Sequence, residues 1–130
     1  MEALLKNKKK HVILLLEENK TLRYLFEDSL INYFNNQELK IEAEILAAQN
    51  GEEAKTFFKN IPEIELIVMN IEIFEEIHEK FINEILKIKQ LKILVLCLKR
   101  MCKNYVPCEF YSINPFYEDQ FAQKVLGLIN

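Results

Sequence analysis

The sequence predicts an α/β protein built on one doubly wound, five-stranded parallel sheet. Three observations lead there. Short apolar runs at 11–16 (HVILLL), 64–69 (IELIVM) and 92–98 (KILVLCL) read as strands buried on both faces, as in parallel sheets. Between them lie stretches whose apolar residues recur at helical spacing. The two kinds of segment alternate, which implies right-handed crossovers with helices on both faces of the sheet. The chain has 130 residues, half of them hydrophobic and 28% charged, so 1–130 is read as a single domain with a real core.

The elements follow in order. Residues 1–10 carry the basic cluster Lys6, Lys8, Lys9 and Lys10, read as a flexible, solvated N-terminal segment. Strand one is 11–16. Leu22, Leu25, Phe26, Ser29, Leu30, Tyr33 and Phe34 then place an amphipathic helix over 21–34, ended by Asn35-Asn36. Residues 41–47 form strand two. Asn50-Gly51-Glu52-Glu53 starts the next helix as a capping box, with Asn50 accepting from the Glu53 amide and Glu53 reaching back. Ala54, Phe57, Phe58 and Ile61 give that helix its buried stripe, and Pro62 stops it. Strand three is 64–69. Phe74, Ile77, Phe81, Ile82, Ile85 and Ile88 define a third helix, and 92–98 is strand four. Strand five, 109–113, is shorter. Asn114-Pro115 is expected to open the last helix, with Glu118 and Asp119 in its first turn, where negative charge suits the dipole.

Composition removes several function classes. A net charge of −3 gives no electrostatic argument for nucleic acid. No run approaches the roughly 18 apolar residues of a membrane span, and the N-terminus lacks the apolar core of a signal peptide. The expectation is a cytoplasmic chain whose Cys97, Cys102 and Cys108 are reduced thiols. They form no C-x-x-C pair, and His11 and His78 lie on other segments, so zinc is not expected. With only Gly51 and Gly127, neither G-x-G-x-x-G nor a Walker A loop can be written.

In an open α/β sheet, chemistry collects beyond the carboxyl ends of the strands. There the sequence puts Glu17-Glu18 after strand one, Asn70 at the end of strand three, Cys97 at the end of strand four and Asn114-Pro115-Phe116 after strand five. This pattern resembles the receiver domain of bacterial two-component response regulators, over nearly the whole chain from His11 to Ile129. The pieces are the acid doublet, N-G-E-E-A at 50–54, L-I-V-M-N-I at 66–71 and Y-x-x-N-P-F at 111–116. The resemblance implies a CheY-like, flavodoxin-like fold with strand order 2-1-3-4-5. It also implies roles. The acid doublet would bind Mg²⁺; a carboxylate at Asn70 would accept a phosphoryl group from a histidine kinase; Ser or Thr at Cys97 would hydrogen-bond that group; lysine at Asn114 would pair with it; and the aromatic Tyr111 would change rotamer.

Against those roles the chemistry stops. An amide oxygen is a poor nucleophile because resonance ties up its lone pair. Asn114 cannot neutralise phosphoryl charge as lysine would, and a Cys97 thiol is a weak donor. Three working parts are changed at once, so Asn70 is read as a degenerate phospho-acceptor, Cys97 and Asn114 as degenerate Thr and Lys positions, and Tyr111 as a fixed aromatic. Glu17 and Glu18 remain as a vestigial acidic pocket, unopposed unless a Lys or Arg reaches in or a cation sits there. Weak Mg²⁺ binding at Glu17 and Glu18 is the only metal expectation, and no other cofactor is expected. Only 98–108 is left between strands four and five, so the family's helix four is expected to be shortened to about a turn or missing. Met101, Tyr105 and Val106 then become the candidate interaction face.

The functional expectation is a non-enzymatic, phosphorylation-independent interaction module in bacterial signal transduction or transcriptional control. Its partner would be a protein, or a second copy through the altered strand-four and strand-five face, with no nucleic acid bound by this domain and no membrane. Two alternatives stand beside it. One is the N-terminal regulatory domain of a longer DNA-binding response regulator. The other is a flavodoxin-like domain binding a small ligand or metal through Glu17 and Glu18.

Overall fold

A computed structural model describes residues 10–36, 41–70, 83–97 and 108–129. The strands are β1 (Lys10–Leu16), β2 (Glu42–Ala48), β3 (Ile64–Asn70), β4 (Lys92–Cys97) and β5 (Cys108–Ser112). The helices are α1 (Lys20–Phe34), α2 (Gly51–Asn60) and a C-terminal helix (Glu118–Ile129), with 83–88 also helical before β4. All four ladders are parallel, and the strand order is β2-β1-β3-β4-β5. The expected sheet and its order are therefore the observed ones.

Period-two alternation sends successive side chains to opposite faces. Val12, Leu14, Leu16, Ile67, Met69 and Val95 face one layer, closed by Ala54 and Phe58 of α2 and by Ile85. Ile13, Leu15, Leu66, Val68, Leu94 and Leu96 face the other, closed by α1 and the C-terminal helix. Phe26 joins those two helices. Its ring lies 5.5 Å from that of Phe116 and 5.6 Å from that of Phe121, within the range for favourable tilted and edge-on aromatic pairs. Between Val12 and Ile13 the register shifts, so that Ile64 and Leu66 are paired and Glu65 is the extra residue. The Glu65 carboxylate is bonded to His11 Nδ1, which gives this half-buried acid a partner inside the sheet.

Local chemistry sets the helix starts. Asn19 caps α1, its side chain accepting from the Leu22 amide, and Asn50 caps α2, accepting from the Glu53 amide. The return half of the expected capping box is not made. Lys89 Nζ donates to the Pro62 and Ile64 carbonyls, tying the chain before β4 to the turn after α2.

Two expectations are corrected. Asn114-Pro115 does not open a helix: its peptide bond is cis, and the helix begins at Glu118, with Glu118 and Asp119 in the first turn as expected. Reduced thiols do not hold throughout: Cys97 is disulfide-bonded, while Cys108 is free. Pairing among three cysteines depends on folded proximity, which spacing alone does not reveal. The expected helix four, the candidate face at Met101, Tyr105 and Val106, the basic segment before Lys10, and His78 lie outside the described residues. Lys10 itself is exposed and paired with Glu44 at 2.9 Å.

Candidate functional site

The site forms where the parallel register brings strand ends to one rim. Leu16 is level with Ala48 and Met69, Asn70 with Leu96, and Cys97 with Ser112. Glu17 extends β1 by one step, its amide donating to the Ala48 carbonyl at 3.0 Å. That bond points the side chain inward, and Glu17 is only 3% exposed. A buried carboxylate needs donors. Asn70 Nδ2, itself 4% exposed, donates to Glu17 Oε1 at 2.9 Å. The backbone N–H of Asn19 donates to Oε2 at 2.9 Å. Because a carboxylate only accepts, the Asn70 amide must turn its NH₂ rather than its oxygen toward Glu17.

The two acids part company here. Glu18 is exposed and does not share the pocket with Glu17. Arg23, in the first turn of α1, reaches back over the loop. Its Nη1 donates to the Glu17 carbonyl at 3.0 Å and the Glu18 carbonyl at 3.3 Å. A cation thus does reach in, from the helix. Sequence reasoning missed Arg23 because its partners are backbone carbonyls, which no side-chain pattern encodes; the available signal was a basic residue at a helix start just after two acids.

The remaining positions frame the rim. Cys97 is buried at the end of β4, and its sulfur, held in a disulfide, has no thiol hydrogen to donate. Its carbonyl accepts from the Ile113 amide at 2.8 Å, which carries the chain from β5 up to Asn114. Asn114 is exposed; its amide donates to Ser112 Oγ at 3.4 Å. Tyr111 is half-buried in the layer under the C-terminal helix, its ring 6.4 Å from that of Phe121. Structure therefore brings Glu17 and Asn70 into contact and leaves Glu18 and Asn114 in solvent.

Magnesium prefers several oxygen ligands in near-octahedral geometry. Both Glu17 oxygens are engaged, Asn70 presents a donor, and Glu18 is turned out. Among the described residues no group of three or more His, Cys, Asp or Glu could hold a metal ion. With these bonds made, the described side chains at this rim do not present the oxygen set that Mg²⁺ takes. Among the described residues no helix is long and apolar enough to cross a membrane.

No family model matches the chain, and no curated protein matches it. Solved structures do. A response regulator receiver domain protein from Bacillus halodurans superposes with a TM-score of 0.68 at 14% identity, covering 92% of this chain and 97% of that one. The N-terminal domain of a response regulator/sensory box/GGDEF 3-domain protein from Carboxydothermus hydrogenoformans gives 0.69 at 19% identity, covering 93% and 94%. A chain from the complex of the phosphorylated P1 domain of CheA3 with CheY6 from R. sphaeroides gives 0.57 at 16%, covering 89% and 95%. At these identities the likeness is one of fold: the chain has the five-stranded parallel fold of response regulator receiver domains.

Proposed function

We propose that this chain is a receiver-like protein-interaction module of a bacterial signalling or transcriptional pathway, one that works without phosphorylation and without enzymatic activity. The observation carrying this reading is the hydrogen bond from Asn70 to buried Glu17. In the receiver-like fold the end of β3 is where a nucleophile would act. Here the side chain is an amide, and its orientation is fixed by an acid that must be given a donor. Phosphoryl transfer requires a nucleophilic oxygen and cations over the transferring group. Asn70 supplies no such oxygen, Asn114 no charge and Cys97 no hydroxyl.

What remains useful is surface on a stable scaffold. The R. sphaeroides structure holds the phosphorylated P1 domain of CheA3 in complex with CheY6, and a protein is likewise the partner class proposed for this chain. Control would then come through partner availability. The Carboxydothermus neighbour is the N-terminal part of a three-domain protein, which favours a second reading in which this domain regulates a longer protein.

The test is a comparison of ¹H–¹⁵N spectra with and without Mg²⁺ and beryllofluoride, a phosphoryl mimic. Unchanged resonances at Glu17, Asn70 and Tyr111 are expected. Saturable shifts at all three would show a pocket that still recognises the acyl phosphate shape.

A further inference from the structure

The first turn of α1 runs against the rule for helix starts. Helix N-termini carry partial positive charge and favour Asp or Glu. α2 obeys with Glu52 and Glu53, and the C-terminal helix with Glu118 and Asp119. α1 has no acid in its first turn and carries Lys20 and Arg23 instead. Lys20 lies over the Tyr24 ring, 5.8 Å from its centroid. Arg23 is the one that turns to the loop, where Nη1 meets the carbonyls of both acidic residues.

The geometry points to Arg23 as the resident counter-cation of the β1–α1 loop, holding through its guanidinium the oxygen-rich segment at Glu17 and Glu18 that would otherwise call for a divalent ion. This rests on the reading that the pocket no longer handles a phosphoryl group. Carbonyl and carboxylate oxygens are the hard ligands that Mg²⁺ and Ca²⁺ take. A guanidinium is always charged, weakly hydrated and able to serve two oxygens from one nitrogen. Here it engages two carbonyls while Asn70 and the Asn19 amide satisfy the Glu17 carboxylate. The loop is thereby closed with the chain's own groups, and its conformation is independent of divalent ions. Arg23 is a positioning residue, and its charge rather than its bulk is what the loop requires.

Thermal melts of the wild type, Arg23→Met and Arg23→Lys in magnesium chloride and in sodium chloride of equal ionic strength test this. The wild type and Arg23→Lys are expected to melt at the same temperature in both salts. Arg23→Met, which keeps the apolar stem and loses the charge, is expected to melt lower in sodium and to recover by about 3 °C in magnesium. An Arg23→Met protein indifferent to the salt, or a wild type that gains as much as the variant, overturns the assignment. Should Arg23→Met not fold, Mn²⁺ is titrated into the wild type and amide resonances are followed. Absence of selective broadening at 17–20 upholds the assignment, and selective broadening there overturns it. Phosphoryl uptake by the wild type would defeat the reading of the pocket; a salt-indifferent Arg23→Met protein would defeat only the role of Arg23.

Discussion

At the scale of single residues, the pairing of Glu17 with Asn70 has a direct consequence for mutation. Asn70→Asp replaces a donor 2.9 Å from Glu17 Oε1 with a second carboxylate oxygen, in a place where both side chains are almost fully buried. Two like charges so close cannot both stay ionised, so one carboxyl must have its folded pKa raised. A raised folded pKa means that the variant holds its stability below the unfolded carboxyl range and loses it as pH climbs through the raised value. Denaturant melts should show Asn70→Asp near the wild type at acidic pH and about 2–4 kcal/mol weaker at neutral pH. The same variant should stay unphosphorylated, because Asn114 and Cys97 are unchanged. A flat pH difference would mean that the two side chains do not share the pocket. A second residue prediction concerns Cys108, whose thiol is pushed up to about 11 by burial. At pH 8 its thiolate is scarce, so alkylation by iodoacetamide should run about 100-fold slower than for an unperturbed thiol and accelerate as pH rises toward 11. Rapid labelling at pH 8 in the folded protein would place that thiol in water.

At the scale of elements, each helix is held by its cap and by one apolar stripe. Asn50→Ala removes the acceptor of the Glu53 amide, bonded at 2.8 Å, and should cost about 1 kcal/mol, while Asn50→Asp should cost little because it still caps. Urea midpoints for the two variants make the comparison. Phe26→Ala would remove a ring packed on both Phe116 and Phe121 and should cost about 3–5 kcal/mol, because the residue is only 1% exposed and its loss leaves a cavity in the core. A loss below 1 kcal/mol there would show that α1 and the C-terminal helix are joined by other contacts. Legibility also varied by element. β1, β3 and β4 were plain because strands buried on both faces leave long apolar runs. The start of α1 at Lys20 was missed by one residue, since Asn19 is the cap and Asn50 drew attention by its Glu53 partner. Asn114-Pro115 was misread as a helix start because a proline before acids looks like one, and the isomer of its peptide bond is a tertiary property.

At the scale of the whole molecule, the parallel sheet and its two apolar layers followed from alternation of strands and helices, while the strand order came with the resemblance to receiver domains. The rim was legible as a set of positions. Its inner wiring was not: the split of Glu17 from Glu18, the reach of Arg23 and the disulfide at Cys97 each depend on three-dimensional placement. The proposed independence from phosphorylation is tested on the intact protein. Incubate the wild type with acetyl phosphate and Mg²⁺ and follow intact mass over time, with a phospho-accepting receiver domain as the positive control. The account predicts a spectrum with no added phosphoryl group while the control is labelled. A stoichiometric, hydroxylamine-sensitive phosphoryl adduct on this chain would contradict it.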